Sequence, residues 1–175
     1  MPDILINNAG LSTLGTVAKS VPEQELNLVE VDVAAVVDLC SRLLPGMVER
    51  HRGALLNVAS VAAFGPLPGQ AAYGAAKAFV VSYTHSLRGE LRGTGVSATA
   101  LRPGPVDTGF GEAAGFSKEE AESALPQVMW IAADKVARAG LDGLAAGKAV
   151  VVPGRVNRVA SAFSGSRPLS GCCRC

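Results

Sequence analysis

Four short apolar runs, each stopped by a turn and separated from the next by a long stretch without strand character, constrain this chain most. Ile4-Leu5-Ile6 leads into Asn7-Asn8-Ala9-Gly10, and Ala54-Leu55-Leu56-Asn57-Val58-Ala59 ends at Ser60. Val96 to Leu101 ends at Arg102-Pro103-Gly104, and Ala149 to Val152 ends at Pro153-Gly154. Unbroken apolar runs of this length suit strands buried on both faces of a parallel sheet. Between them lie helical patterns from Pro22 to about Arg50, from Ala72 to about Arg92 and from Asp134 to Ala146. Strands alternating with helices predict an α/β fold, a parallel sheet with right-handed crossovers.

Composition narrows the classes of function. Apolar residues make up 49% and charged residues 18% of the 175, a globular balance. A net charge of +1 with no Lys/Arg run gives no electrostatic footing for nucleic acid or an anionic membrane surface. Mean hydropathy is +0.30, raised by Ala and Gly, and no 18-residue apolar run predicts a membrane span. Residues 1–10 lack the basic start and cleavage site of a secretory leader, so a cytoplasmic location is expected. Cys40 falls in a helical apolar pattern and reads as a buried small hydrophobe. Cys172-Cys173-Arg174-Cys175 has no paired C-x-x-C spacing and no nearby histidine, so no metal site is expected there. Segment 161–175 shows neither helical nor strand pattern and reads as a disordered tail.

Chemistry concentrates on Ser60, Tyr73 and Lys77. Tyr73 and Lys77 stand at i and i+4 near a helix start; four residues advance it by about 6 Å and about 40° past a full turn, so they share a face. Ser60 ends the preceding strand, and the loop Gly65-Pro66-Leu67-Pro68-Gly69 returns the chain to that helix. A free tyrosine titrates near pH 10. A cation about 5 Å away, at an effective dielectric of about 20, supplies roughly 3 kcal/mol, or about two pKa units towards phenolate. With Lys77 as that cation and Ser60 bonding a substrate oxygen, the trio can move a proton to or from a hydroxyl or carbonyl. On spacing alone, Tyr-x-x-x-Lys is more often a half-exposed ring beside a solvated lysine. Residues 107–130, rich in Gly, Ala and Glu and lacking periodicity, follow a strand's carboxyl end, where open α/β sheets hold substrates.

Taken in order, Asn7-Asn8-Ala9-Gly10, the Ser60…Tyr73-x-x-x-Lys77 set and Pro103-Gly104-Pro105-Val106-Asp107-Thr108 closely resemble the short-chain dehydrogenase/reductase family, from Asp3 to about Asn157. The resemblance implies a Rossmann-like doubly wound parallel sheet. It implies an oxidoreductase that interconverts a carbonyl and an alcohol with NAD or NADP. Tyr73 would be the acid/base, Lys77 would lower its pKa and bind the nicotinamide ribose, and Ser60 would orient the substrate carbonyl. Asn7 would brace the sheet beside the cofactor, with Ala9 and Gly10 letting backbone approach it. The Pro103-Gly104 turn would carry Val106 and Thr108 to the nicotinamide carboxamide. The family's habit of associating through the corresponding helices implies a homo-oligomer built on 22–50 and 72–92.

Three departures accompany the resemblance. In the family the strand bearing Asn7-Asn8-Ala9-Gly10 is the fourth, and a Gly-rich phosphate loop follows the first. No strand-turn-helix unit of that kind is expected in these 175 residues; Gly10 and Gly15 open none. The chain therefore reads as the C-terminal portion, 1–160, of a truncated or internally started product. "FSGSRPLSGCCRC" reads as a frameshifted end. Asp32 takes a place where the family commonly has asparagine, whose main-chain carbonyl holds a relay water. Its carboxylate needs a partner if buried, and Lys77 is the candidate. A non-catalytic protein that works only through helix association is the rival reading.

Overall fold

The computed structural model describes residues 2–115 and 126–164. Neighbouring residues of a strand point to opposite faces, so the doublet Leu55-Leu56 requires cover on both sides of the sheet. Both are buried, at 0% and 3% exposure. Their strand, β2 (Gly53–Val58), lies between β1 (Ile4–Asn7) and β3 (Val96–Leu101), and the short β4 (Val150–Val151) follows β3. All neighbours pair in parallel, with Leu5 opposite Leu55, Val58 opposite Leu101 and Leu101 opposite Val151.

One face is packed by the long helical layer: α1 (Pro22–Val29), α2 (Ala35–Glu49) and α3 (Ala71–Glu90). There Leu55, Ala59 and Ala98 meet Val36, Cys40, Met47, Val80 and Leu87. The other face is closed by α5 (Ala133–Ala145), whose Val136 and Leu144 pack on Leu56 and Leu101. Helices on both faces of a parallel sheet make this a doubly wound, Rossmann-like α/β fold, as the pattern of apolar runs predicts. Two more helices, α4 (Phe110–Ala113) and α6 (Arg155–Ser164), sit beyond the carboxyl ends of β3 and β4.

The elements differ from expectation in three places. The pattern from Pro22 to Arg50 is not one regular helix, because a π-turn at Glu30–Ala34 joins α1 to α2. Such a turn inserts one extra residue and rotates the following face; here it carries Asp32 into the interior at 1% exposure. Position 161, where the tail was expected to begin, lies inside α6. Residues 107–130 are not wholly irregular: α4 and a 3₁₀ turn at Gln127–Met129 flank residues 116–125, which lie outside the described residues. The cysteines at 172, 173 and 175 also lie outside them.

The spacing G-x-x-x-G-x-G does occur once, at Gly89, Gly93 and Gly95. It leads from α3 out into β3, the reverse of a strand-turn-helix unit, so its amides face no helix start. Gly95 is there for conformation: its φ is +82°, and an added Cβ would run into the carbonyl of His51. Gly95→Ala is therefore expected to cost at least about 1–3 kcal/mol, read as a lower urea midpoint at unchanged slope. A midpoint equal to the parent's would contradict this steric account.

Candidate active site

Four elements deliver polar groups to the carboxyl edge of the sheet. Asn7 ends β1, 7% exposed, and its amide donates to Asn57 Oδ1 at 2.8 Å and to Cys40 Sγ at 3.5 Å. Asn57 donates in turn to Thr84 Oγ1 at 3.0 Å, and Thr84 donates to the Val80 carbonyl at 2.6 Å. Asn7, Asn57 and Thr84 thus tie β1, β2 and α3 together through buried, mutually satisfied groups. The bracing role expected of Asn7 has this geometry. Asn57 and Thr84 went unremarked in the sequence, although a lone amide inside Ala54-Leu55-Leu56-Asn57-Val58 was the available signal.

Ser60 follows β2 and is 7% exposed. Its Oγ accepts from the Ala62 amide at 3.1 Å, capping the 3₁₀ turn Val61–Phe64. Tyr73, in the first turn of α3, is half-buried, and its ring lies 5.9 Å from that of Phe110 on α4. One turn later Lys77 is 4% exposed. Its Nζ stands 3.3 Å from the Val58 carbonyl, 5.7 Å from the centre of the Tyr73 ring and 2.9 Å from Asp32 Oδ2. The spacing argument that Tyr73 and Lys77 share a helix face is met, and Lys77 is the partner that the buried Asp32 carboxylate requires. Asp32 Oδ1 also accepts from the Leu11 amide at 2.7 Å.

This pairing bears on one expectation. Burial pushes the Tyr73 phenol up from its ordinary value; the Ser60 hydroxyl works against this, and the Asp32 carboxylate adds to it. A lysine whose charge is matched at 2.9 Å presents the tyrosine with a dipole rather than a bare cation. The upward push of burial thus stands against the depression expected from Lys77.

The remaining expected positions are distributed around this cluster. Ala9 is exposed, while Gly10 sits so close that an added Cβ would lie 2.9 Å from Lys77 Nζ and 3.4 Å from both Asp32 oxygens. Gly10 makes room for the ion pair. The Pro103 carbonyl accepts from the Val61 amide at 3.0 Å, fastening the turn after β3 to the turn after Ser60. Gly104 has no space for a side chain because Asn157 of α6 packs on it. Val106 bridges to Ile131 and packs with the Leu56 core, so it is partly structural. Thr108 is exposed, and its Oγ1 accepts from the Phe110 amide at 3.3 Å at the entry to α4. Arg102, unremarked in the sequence, lays its guanidinium 3.3 Å over the Phe64 ring, and burial lowers its pKa to about 10. Among the described residues, no group of three or more His, Cys, Asp and Glu is placed to hold a metal, and no helix is long and apolar enough to cross a membrane.

The short chain dehydrogenase family model matches residues 2–119, and this chain belongs to that family. An uncharacterized oxidoreductase of Myxococcus xanthus is 44% identical over 105 residues, covering 59% of this chain and 41% of that protein. An NADP-dependent 3-hydroxy acid dehydrogenase of Salmonella typhimurium is 34% identical over 145 residues, covering 74% and 58% respectively. Among solved structures, a short-chain dehydrogenase from Sphingobium yanoikuyae in complex with NADPH superposes with a TM-score of 0.78 at 26% identity, covering 97% of this chain and 67% of that one. The chain spans only about 36% to 58% of the length of the first three distinct curated relatives it matches.

Proposed function

We propose that this chain is the catalytic portion of an NAD- or NADP-dependent oxidoreductase that interconverts a carbonyl and an alcohol on a small molecule. The observation that carries the reading is the convergence of Ser60, Tyr73 and Lys77 at one sheet edge. The Ser60 hydroxyl orients the substrate oxygen, and the Tyr73 phenol exchanges the proton with it. Lys77, buried beside the phenol, is placed to hold a nicotinamide ribose, and the nicotinamide supplies the hydride when bound. Asn7 holds the floor of the site, while Ala9, Gly10, Pro103, Gly104, Val106 and Thr108 line the route along which the cofactor lies. Asp32 belongs to the site through Lys77.

The described residues fit one end of such a cofactor. They offer buried donors for the ribose, yet no strand-turn-helix glycine unit to receive a diphosphate. By itself the chain is accordingly expected to bind NADH and NADPH more weakly than about 1 mM. Fluorescence titration checks this, and a micromolar dissociation constant would show that other amides hold the diphosphate. Joining the chain to a Gly-rich nucleotide-binding half from a relative tests the activity itself. The joined protein is expected to reduce a simple ketone or aldehyde with consumption of reduced cofactor. Failure of a folded, cofactor-binding chimera across a carbonyl panel would favour the non-catalytic reading.

Association through the helical layer belongs to the same proposal. Leu26, Val29 and Leu39 on α1 and α2, and Phe79 on α3, are all more than a third exposed, and Phe79 stacks on Tyr83 at 5.5 Å. Apolar groups on neighbouring helices of one layer suit a second copy of the chain.

A further inference from the structure

We propose that Asp32 is an internal counter-ion for Lys77, a positioning residue that keeps the Tyr73 phenol protonated through neutral pH and so sets the site to donate a proton rather than to take one. This deepens the acid/base reading above and rests on it for the role of Tyr73. The geometry carries it. Three segments far apart in sequence meet at the pair: the turn after β1 through Leu11, the π-turn through Asp32, and α3 through Lys77. Their side chains are 0% and 5% exposed, so bulk water does little to screen the pair.

Asp32 is held from two sides. Its Oδ1 takes the Leu11 amide at 2.7 Å, and its Oδ2 lies 2.9 Å from Nζ but accepts no aligned hydrogen bond. The contact is thus chiefly one of charge. The Lys77 ammonium is fixed in turn by the Val58 carbonyl at 3.3 Å, and Gly10 leaves both groups only the space they fill. Among the described residues, the Leu11 amide from the turn after β1 and the Val58 carbonyl from the end of β2 contact the pair, and the Tyr73 ring of α3 lies 5.7 Å from Nζ; the Ser60 hydroxyl meets Tyr73 rather than the pair. Neither of the other ion pairs seen among the described residues, Arg42–Asp38 and Arg52–Asp3, involves these groups.

The consequence for Tyr73 follows from distance. At a ring centre 5.7 Å from Nζ, a cation with its anion only 2.9 Å from it exerts a weaker field than a lone charge. Burial then decides the phenol's state, and burial favours the neutral form. An asparagine at position 32 would keep the shape and leave Lys77 unmatched, and the phenolate would gain its cation. The sign is therefore fixed: removing the carboxylate lowers the pH at which Tyr73 ionises.

The chain itself permits a direct test, because it contains two tyrosines, Tyr73 and Tyr83. In a Tyr83→Phe background, tyrosinate absorbance at 295 nm reports Tyr73 alone, with no cofactor and no turnover, and far-UV circular dichroism tracks the fold over the same pH range. The parent is expected to ionise above pH 10, or only as it unfolds. With Asp32→Asn the midpoint is expected to fall by about one unit or more, a tenfold gain in phenolate at a given pH. Equal midpoints in the two proteins overturn the inference. Asp32→Ser repeats the comparison should the asparagine variant fail to fold, and a parent midpoint below 10 overturns it without any variant. Such a result leaves the oxidoreductase reading intact, whereas an inactive chimera would refute that reading and leave this titration standing.

Discussion

Joined to a Gly-rich nucleotide-binding half, the chain carrying Tyr73→Phe is expected to lose turnover by at least about 10²- to 10⁴-fold, the usual worth of general acid/base catalysis. Cofactor affinity is expected to stay within a few-fold. The substitution removes one hydroxyl from a half-buried ring and leaves its contact with Phe110 at 5.9 Å in place. Steady-state kinetics beside a cofactor titration separate the two effects. A variant that keeps a tenth or more of the parental kcat would show that the proton travels by a route that bypasses this phenol.

The second large effect concerns stability. Lys77→Met takes the cation away and leaves Asp32, whose side chain is wholly enclosed, with the Leu11 amide as its remaining recorded polar contact among the described residues. Removing one partner of a buried pair typically costs about 3–5 kcal/mol, because the surviving charge loses its counter-ion without regaining water. The same chain with Asp32→Asn as well is expected to recover most of that loss, since a neutral amide tolerates the site. Urea unfolding of the parent, the single variant and the double variant measures the effect. A Lys77→Met protein within about 1 kcal/mol of the parent would mean that Asp32 is hydrated or protonated in the fold, and the counter-ion account would fall with it.

Much of this architecture was legible in the residues because each strand and long helix advertises its own period. The Leu55-Leu56 doublet requires two-sided cover, and the four-residue step from Tyr73 to Lys77 requires a shared face. Other features were not legible, for identifiable reasons. The π-turn leaves no mark in the apolar pattern of α1 and α2, since the apolar residues between Val29 and Val37 are dense enough to continue a stripe with or without one inserted residue. The charge state of Tyr73 depends on how close Asp32 comes to Lys77 across 45 residues of chain, and no spacing rule carries that distance. The sequence argument treated Lys77 as a free cation at about 5 Å, whereas in the fold Asp32 Oδ2 lies 2.9 Å from its Nζ. At Gly10 a missing side chain in a turn suggests a ligand's approach; that the same gap also admits the ammonium of Lys77 and the carboxylate of Asp32 was not legible. Asn57 and Thr84 were hidden because a buried amide gives no sign of its partner until α3 lies over β2.

The position of β1 has a practical consequence for anyone handling this chain. It is the outermost strand of the described sheet, and Ile4 and Ile6 point away from the helical layer, 54% and 46% exposed. A row of unpaired amides and carbonyls beside two large aliphatic side chains is adhesive in the colloidal sense, a seam onto which another extended segment can add. In a concentrated solution, self-association is expected to start at this seam, and a strand laid alongside β1 would act as a solubilising agent as well as a structural one.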